Sequence, residues 1–416
     1  MTKADSSRSK RSAPPSAPPV APPHRPAGLL GPTILIPAYI LLLVAGDIAF
    51  QQLAVTVKGN ELSRPRSLFA VINAATLTGF QQTHSTNDFT PTGQTLVFCL
   101  ILAGILFSLI AGGTAVLRIA KLKYSDGQLI AWAFAAIAVS AAIGAISPIS
   151  DTTFASVFTA VSAFGNSGLY IGRLAAADST ATHVLLLPLS VLGGLGLPVL
   201  MELIGCYRKG STLSAHTHTV LTSSAIVYIA AILLLAPSQF TRAATPTWRE
   251  AFTTASNQAL NARSAGFPFE FATYWPRTVQ WLTILLMFIG ASSAGTGGGT
   301  KVNTLAVLSR GAVNSLTGRP ISRATGIALT WITIYAVMLT ITMMMLLITE
   351  PQMPADRLLF LSFSAVGNVG LSHDPLTLSD SGLYVLSASM LAGRIAPVLI
   401  LWWMATTTVA PEIAVG

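Results

Sequence analysis

Four phrases of about a dozen residues recur between long apolar stretches of this chain, each amphipathic and each closing on glycine followed by phenylalanine or leucine. They are FAVINAATLTGF (Phe69 to Phe80), FTAVSAFGNSGL (Phe158 to Leu169), SNQALNARSAGF (Ser256 to Phe267) and FLSFSAVGNVGL (Phe360 to Leu371). Their glycines, Gly79, Gly168, Gly266 and Gly370, lie 89, 98 and 104 residues apart. So regular a period marks one structural unit used four times. Each phrase is too short to cross a bilayer, which takes about 20 apolar residues. Non-helical backbone at membrane depth is tolerated only where it is buried in protein or lines a water-filled cavity. The pattern therefore predicts four re-entrant segments meeting on one pseudo-fourfold axis.

Composition places the chain in a membrane. Hydrophobic residues make up 52% of it and charged residues only 9%, too little polar surface for a soluble fold of 416 residues. Eight segments are long enough to span: Leu29 to Val57, Gln94 to Leu117, Gln128 to Ile149, His183 to Ile204, Val220 to Ala236, Val279 to Leu308, Thr325 to Ile348 and Leu383 to Val409. The fifth is the shortest and needs its flanks. One phrase falls between the members of each successive pair. The expected fold is an all-α integral membrane protein of four pseudo-symmetric span, pore helix, span repeats around one central pore. The repeats are 29–123, 124–209, 210–318 and 319–416, behind a disordered proline-rich tail, 1–28. Cys99 and Cys206, far apart in apolar sequence, read as packing residues.

Charge gives the orientation. The tail and the three connectors between repeats carry thirteen basic residues, including Arg118, Lys121, Lys123, Arg208, Lys209, Arg310, Arg319 and Arg323, against Asp5 and Asp126. Eleven of the fifteen acids lie on the side of the glycine turns. The positive-inside rule then makes both termini cytoplasmic and the turns outward-facing, in a multi-pass plasma-membrane protein. The basic residues carry no groove-reading motif, so no nucleic-acid partner is expected.

Glycine at the four turns allows positive φ and lets successive carbonyls aim at an axis. The residues before each glycine are small or carry no charge, so backbone oxygens are the expected ligands: those of Leu77, Thr78 and Gly79, of Asn166, Ser167 and Gly168, of Ser264, Ala265 and Gly266, and of Asn368, Val369 and Gly370. Carbonyls without a carboxylate ring favour a monovalent ion, K+ before Ca2+. A lone membrane glycine is more often a helix contact. Four with matching flanks are not readily explained that way.

The sixth span holds GASSAGTGGGTKVNT, Gly290 to Thr304, which cannot continue a helix through Gly295, Thr296, Gly297, Gly298 and Gly299. The span should break there into a loop able to block or clear a path. It lacks phosphate-loop spacing. Arg394, near the middle of the eighth span, must face a wet cavity or a structural partner, for which Glu202 is the candidate. Lys301 belongs either in the same cavity or on a cytoplasmic loop. Arg263, three residues before Gly266, is expected to brace the third turn by donating to nearby carbonyls. His216-Thr217-His218 reads as connector, and no acid pair or His/Cys cluster at membrane depth suggests an enzyme. A sodium- or proton-coupled carrier of another solute is the alternative, but inverted repeats and paired broken helices are its marks. Here one broken span is expected.

In order and in kind, the four glycine phrases, the glycine-rich break and the GRIAP run (Gly393 to Pro397) resemble the potassium-transporter superfamily of the Trk, Ktr and plant HKT proteins. The resemblance runs from Leu29 onward. With eight spans and no extra pair before the first repeat, the chain is most similar to the Ktr membrane subunit. The resemblance implies a potassium-conducting homodimer within membrane lipid, on a cytoplasmic ring of nucleotide-binding regulatory subunits. Any nucleotide would sit on that partner, and no cofactor would be bound covalently here. Ktr relatives are commonly sodium-dependent, so Na+ is implied as a second ion. The four glycines would form the filter, Gly290 to Thr304 the gate, and Arg394 the arginine beneath the filter. The proline-rich tail has no counterpart, and Arg263 with the AGF of the third turn departs from the N-x-G-L of the second and fourth.

Overall fold

The computed structural model describes residues 31–53, 55–56, 62–81, 86–240, 247–408 and 412–416. The expected disordered tail lies outside them. The described residues are all-helical, with two isolated bridges and no named strand.

In the first repeat α1 (Pro32–Gln52) is followed by the short α2 (Arg64–Ala75) and by α3 (Pro91–Ile119). The second repeat runs α4 (Asp126–Ile146), α5 (Thr153–Gly165), α6 (Leu187–Leu195) and α7 (Leu197–Lys209). The third holds α8 (Ala215–Gln239), α9 (Trp248–Leu260), α10 (Arg277–Phe288) and α11 (Val302–Leu316). The fourth holds α12 (Arg323–Thr349), α13 (Ala355–Val366) and α14 (Asp380–Thr407). At ~1.5 Å rise per residue, the helices of 21 to 29 residues cover a hydrocarbon core of about 30 Å. The four short helices, 12 or 13 residues each, cannot. The fifth span, marginal in sequence, gains its flanks and reaches 25 residues as α8.

Helix starts are set by short polar side chains that accept a free N–H of the first turn. Ser125 with Gln128 and Thr247 with Glu250 form reciprocal boxes, while Thr90, Thr152, Ser214 and Ser379 cap singly.

Burial sorts the helices into an inner and an outer set. The short helices are innermost: Phe69, Phe158 and Phe360 are buried. Around them stand α3 and α14, of which 61% and 56% is buried. The first spans of the repeats, α1, α4, α8 and α12, are only 17 to 28% buried and present Leu41, Ile146, Leu233 and Ile348 outward. Apolar residues facing out on the membrane-length helices suit lipid as the surrounding medium. In three repeats the inner span approaches its short helix through a glycine. A Cβ on Gly104, Gly193 or Gly393 would strike the carbonyl oxygen of Ala75, Phe164 or Val366, the residue four before the turn glycine in each case.

Two spans are interrupted, where the sequence suggested one. The break in the sixth span falls between α10 and α11 as expected. The fourth span, expected to run unbroken from His183 to Ile204, bends by 98° between Leu195 and Leu197. Gly196 has φ +80, outside the range of other residues in a helix, and Pro198 begins α7 where its missing N–H is no loss. The interruptions face each other. Gly194 O accepts from Ser292 N at 3.0 Å, Leu195 O from Ser292 Oγ at 2.6 Å and Gly193 O from Thr296 N at 3.0 Å. Carbonyls released at the bend are thus satisfied by donors of the loop.

Candidate functional site: a ring of four glycine turns

Each short helix points its C-terminal end inward and stops at its turn. In the first, second and fourth repeats the stop is a Schellman motif. Leu77, Asn166 and Asn368 adopt the left-handed conformation at φ 55, 55 and 47. The next N–H, of Thr78, Ser167 or Val369, returns to the carbonyl of Asn73, Ser162 or Ser364 at 2.9 to 3.0 Å. The third turn is one residue shorter. It closes through a π-type turn, Asn261–Ala265, with Gly266 N on Asn261 O at 3.2 Å and Gly266 itself left-handed. That is the physical form of the departure seen in its sequence.

The turns close on one another in a cycle. A Cβ on Gly79 would strike Ser167 O of the second turn, one on Gly168 would lie 2.5 Å from the Gly266 carbonyl, one on Gly266 would strike Val369 O, and one on Gly370 would strike Thr78 O. Repeat one therefore abuts two, two abuts three, three abuts four, and four returns to one. All four glycines have positive φ, from +66 to +88. Side chains are excluded both by the space and by the backbone conformation. Of the expected ligand residues, these contacts bring together Thr78, Gly79, Ser167, Gly168, Ala265, Gly266, Val369 and Gly370. Four helix C-termini carry partial negative charge toward this ring, and carbonyl oxygens line it. Such an assembly can replace hydration water around a cation.

Below the ring lies the glycine-rich loop. Its ends are held together by Gly290 N on Thr300 O at 2.8 Å and Thr300 N on Phe288 O at 3.0 Å. Thr296, fully buried, joins it to the second turn: its Oγ1 donates to Phe164 O at 3.0 Å and accepts from Asn166 Nδ2 at 2.7 Å. Lys301 does not face the cytoplasm. It is buried and folds back on the loop, Nζ donating to Gly297 O at 2.5 Å.

Arg394 does not pair with Glu202. Its Nε donates to Thr76 O at 2.8 Å, Nη2 reaches the same oxygen, and Nη1 donates to Thr296 O at 2.7 Å and Ser108 Oγ at 3.3 Å. The cation is thus balanced by the carbonyl at the end of α2 and by the loop, which it binds together. Glu202 instead accepts from Ser214 N and Oγ and from Thr217 Oγ1, at the start of α8. Arg263 donates to Ile289 O at 3.3 Å and Gly290 O at 3.1 Å, so it braces the break after α10 and not the third turn.

Three further readings change. His216 and His218 stand in the first turn of α8, not in a connector, and no metal-holding cluster occurs among the described residues. Cys99 is exposed on α3, although Cys206 is partly covered. Two residues outside the expected set, Asn73 and Asn261, are buried behind the ring. Asn73 Oδ1 accepts from Gly79 N and Phe80 N at 2.9 Å each, and its Nδ2 donates to Phe80 O at 2.9 Å. Asn261 accepts from Phe267 N at 2.7 Å and donates to Phe267 O at 2.6 Å. The signal is slight: phrase one has asparagine six residues before its glycine, where phrases two and four have serine, and phrase three has its asparagine five before, in keeping with its shorter turn.

No protein-family model matches the chain. It is similar to Ktr system potassium uptake protein B of Bacillus subtilis (strain 168), 27% identical over 429 residues, 90% of this chain and 93% of the relative. Ktr system potassium uptake protein B of Vibrio alginolyticus is 24% identical over 421 residues, 90% and 91% of the two chains. Among solved structures, the potassium transporter TrkH from Vibrio parahaemolyticus has the same fold, with a TM-score of 0.72 at 17% identity over 89% of this chain and 83% of that one.

Proposed function

We propose, from the premise that the chain belongs to the Trk/Ktr superfamily and stands with its Ktr membrane subunits, that this multi-pass membrane protein carries potassium into the cell along the axis of its glycine ring. The reading is supported above all by the closed cycle of contacts from Gly79 through Gly168, Gly266 and Gly370 back to Thr78. Backbone oxygens of these turns would take the place of the ion's water, and the acids on the turn side would gather cations at an outer mouth. An inside-negative potential supplies ~2.3 kcal/mol per charge for each 100 mV, so uptake needs no enzymatic step.

The loop Gly295 to Gly299, with Lys301, is the gate in this reading, and Arg394 holds it closed against the base of the ring. Opening is controlled by a cytoplasmic nucleotide-binding subunit that grips the basic connectors of a homodimer, with both termini on that side. To move such a gate from one per cent open to ninety-nine, the partner must favour the open state by about 5.5 kcal/mol. Sodium is a second ion that the same path would admit or require. Uptake of potassium and sodium in a transport-deficient host, wild type against Gly79→Ser and Gly370→Ser, tests the whole. The variants should lose the preference for potassium; full retention of it in both would exclude the ring as the filter.

A further inference from the structure

Aligned on the residue whose carbonyl closes each turn, Asn73, Ser162, Asn261 and Ser364, the four turns fall into two alternating kinds. The first and third are held from behind by Asn73 and Asn261, which are 2% and 5% exposed. In the second and fourth the corresponding residues are Ser162 and Ser364, fully buried, whose hydroxyls have no partner among the described residues and reach no N–H of the turn. These turns carry asparagine further on, at Asn166 and Asn368. Those side chains tie the turn to its own inner span, through Ser190 O at 3.1 Å and Met390 O at 2.9 Å, and to a threonine of another repeat, Thr296 at 2.7 Å and Thr78 at 3.0 Å. Among the described residues, none takes up the N–H groups that follow the glycine there.

The difference acts directly on the carbonyls. In a trans peptide the C=O and the next N–H lie in one rigid plane and point in opposite directions. Holding Gly79 N–H and Phe80 N–H on Asn73 therefore turns the oxygens of Thr78 and Gly79 away from Asn73, and Thr78 O lies against Gly370 and Gly266 of the fourth and third turns. Gly79 O also accepts from Gln81 Nε2 at 3.2 Å, which leaves Thr78 O the less encumbered of the two. Holding Phe267 N–H on Asn261 directs the Gly266 oxygen in the same way. Because the turns contact in the order one, two, three, four, the two braced turns stand opposite each other. Two facing quarters of the ring have the peptide after the glycine held by an asparagine, and the other two do not.

We propose that Asn73 and Asn261 are positioning residues which set the discrimination between potassium and the smaller sodium ion, by keeping one facing pair of turns from closing in. The proposal rests on the ring being the filter. Neither side chain touches the ion; each acts through the peptide planes it holds.

The test compares Asn73→Ser, Asn261→Ser and the double variant, purified and placed in liposomes, with Gly168→Ala beside them. Serine already occupies this register in two turns, so the substitution is compatible with the helix, and two independent sites keep the test alive if one variant fails to accumulate. The readout is the ratio of sodium to potassium concentrations that halve uptake of a tracer, with the thermal midpoint in potassium minus that in sodium as a second measure independent of transport. Each single variant should narrow the ratio about tenfold, which corresponds to ~1.4 kcal/mol. General destabilisation would lower both midpoints together without moving the ratio. Unaltered ratios in all asparagine variants, alongside a lowered ratio in Gly168→Ala, overturn the asparagine role and leave the filter standing. An unaltered ratio in Gly168→Ala as well overturns both.

Discussion

Replacing Gly168 by alanine is the smallest change that interrogates the ring, since it adds one methyl group at the seam between the second and third turns. The added Cβ would lie 2.5 Å from both the carbon and the oxygen of the Gly266 carbonyl and 2.9 Å from Ala265 O. Non-bonded atoms rest about 3.5 Å apart or more, so the two turns must separate by on the order of 1 Å. The residue also sits at φ +72, a conformation that costs an L side chain roughly 1–3 kcal/mol. No flexible side chain is available to move aside, because the neighbours are backbone. A strain of ~1–3 kcal/mol, borne by a seam that must stay closed to hold a dehydrated ion, corresponds to about a fivefold to hundredfold loss of potassium affinity. Sodium, less dependent on the ring's size, should lose less. Competitive uptake in liposomes at fixed protein content measures both. If potassium affinity and the potassium-to-sodium ratio both stayed within twofold of wild type, the seam between Gly168 and Gly266 would have no part in ion selection and the reasoning would be wrong.

Thr296→Val keeps the shape of the loop but removes the hydroxyl that joins Phe164 O and Asn166. Losing two hydrogen bonds at ~0.5–1.5 kcal/mol each should raise basal flux without the regulatory partner by about fivefold or more; unchanged flux would show that the loop is not held shut there. Deleting Gly295 to Gly299 should abolish the partner's control altogether, read as equal flux with and without it. Glu202→Ala, which leaves Ser214 and Thr217 without their acceptor, should lower the thermal midpoint with no change in ion preference. A pH effect belongs to the N-terminal end of α9, where the Thr247 backbone N–H, and next its side chain, hold the Glu250 carboxyl below the usual carboxylate range. The folded pKa is depressed, so this contribution is full above the unfolded pKa and is lost as pH falls through the folded one. Hydrogen exchange in the first turn of α9 should accelerate on acidification, and Glu250→Gln should remove that dependence.

Much of this architecture is legible in the residues because hydrophobic length and a repeated phrase are both local signals. The membrane-length helices follow from runs of apolar residues, and the turns follow from glycine at four aligned places. The bend at Gly196 was hidden because largely apolar composition continues across it from Leu187 to Met201; the Gly196-Leu197-Pro198 sequence was the sign that the helix stops and restarts. The partners of Arg394 were hidden for a different reason. Its acceptors are the backbone oxygens of Thr76 and Thr296, and a carbonyl has no identity in a sequence, whereas Glu202 advertised a charge. The destination of Arg263 was likewise a pair of carbonyls. Asn73 and Asn261 lie inside phrases read for their glycines, and only comparing the phrases with each other distinguishes them from Ser162 and Ser364.

The facing interruptions in the fourth and sixth spans constrain how the protein is made. When synthesis has passed Lys209 but not yet Ser292, the oxygens of Gly193, Gly194 and Leu195 have been released from their helix, and the groups that will receive them do not yet exist. In hydrocarbon each such oxygen costs several kcal/mol. The first half of the polypeptide is therefore an incomplete object, unable to settle until the later half threads in beside it. A fragment ending after the second repeat should be cleared by membrane proteases, while the same fragment co-expressed with residues 210–416 should persist.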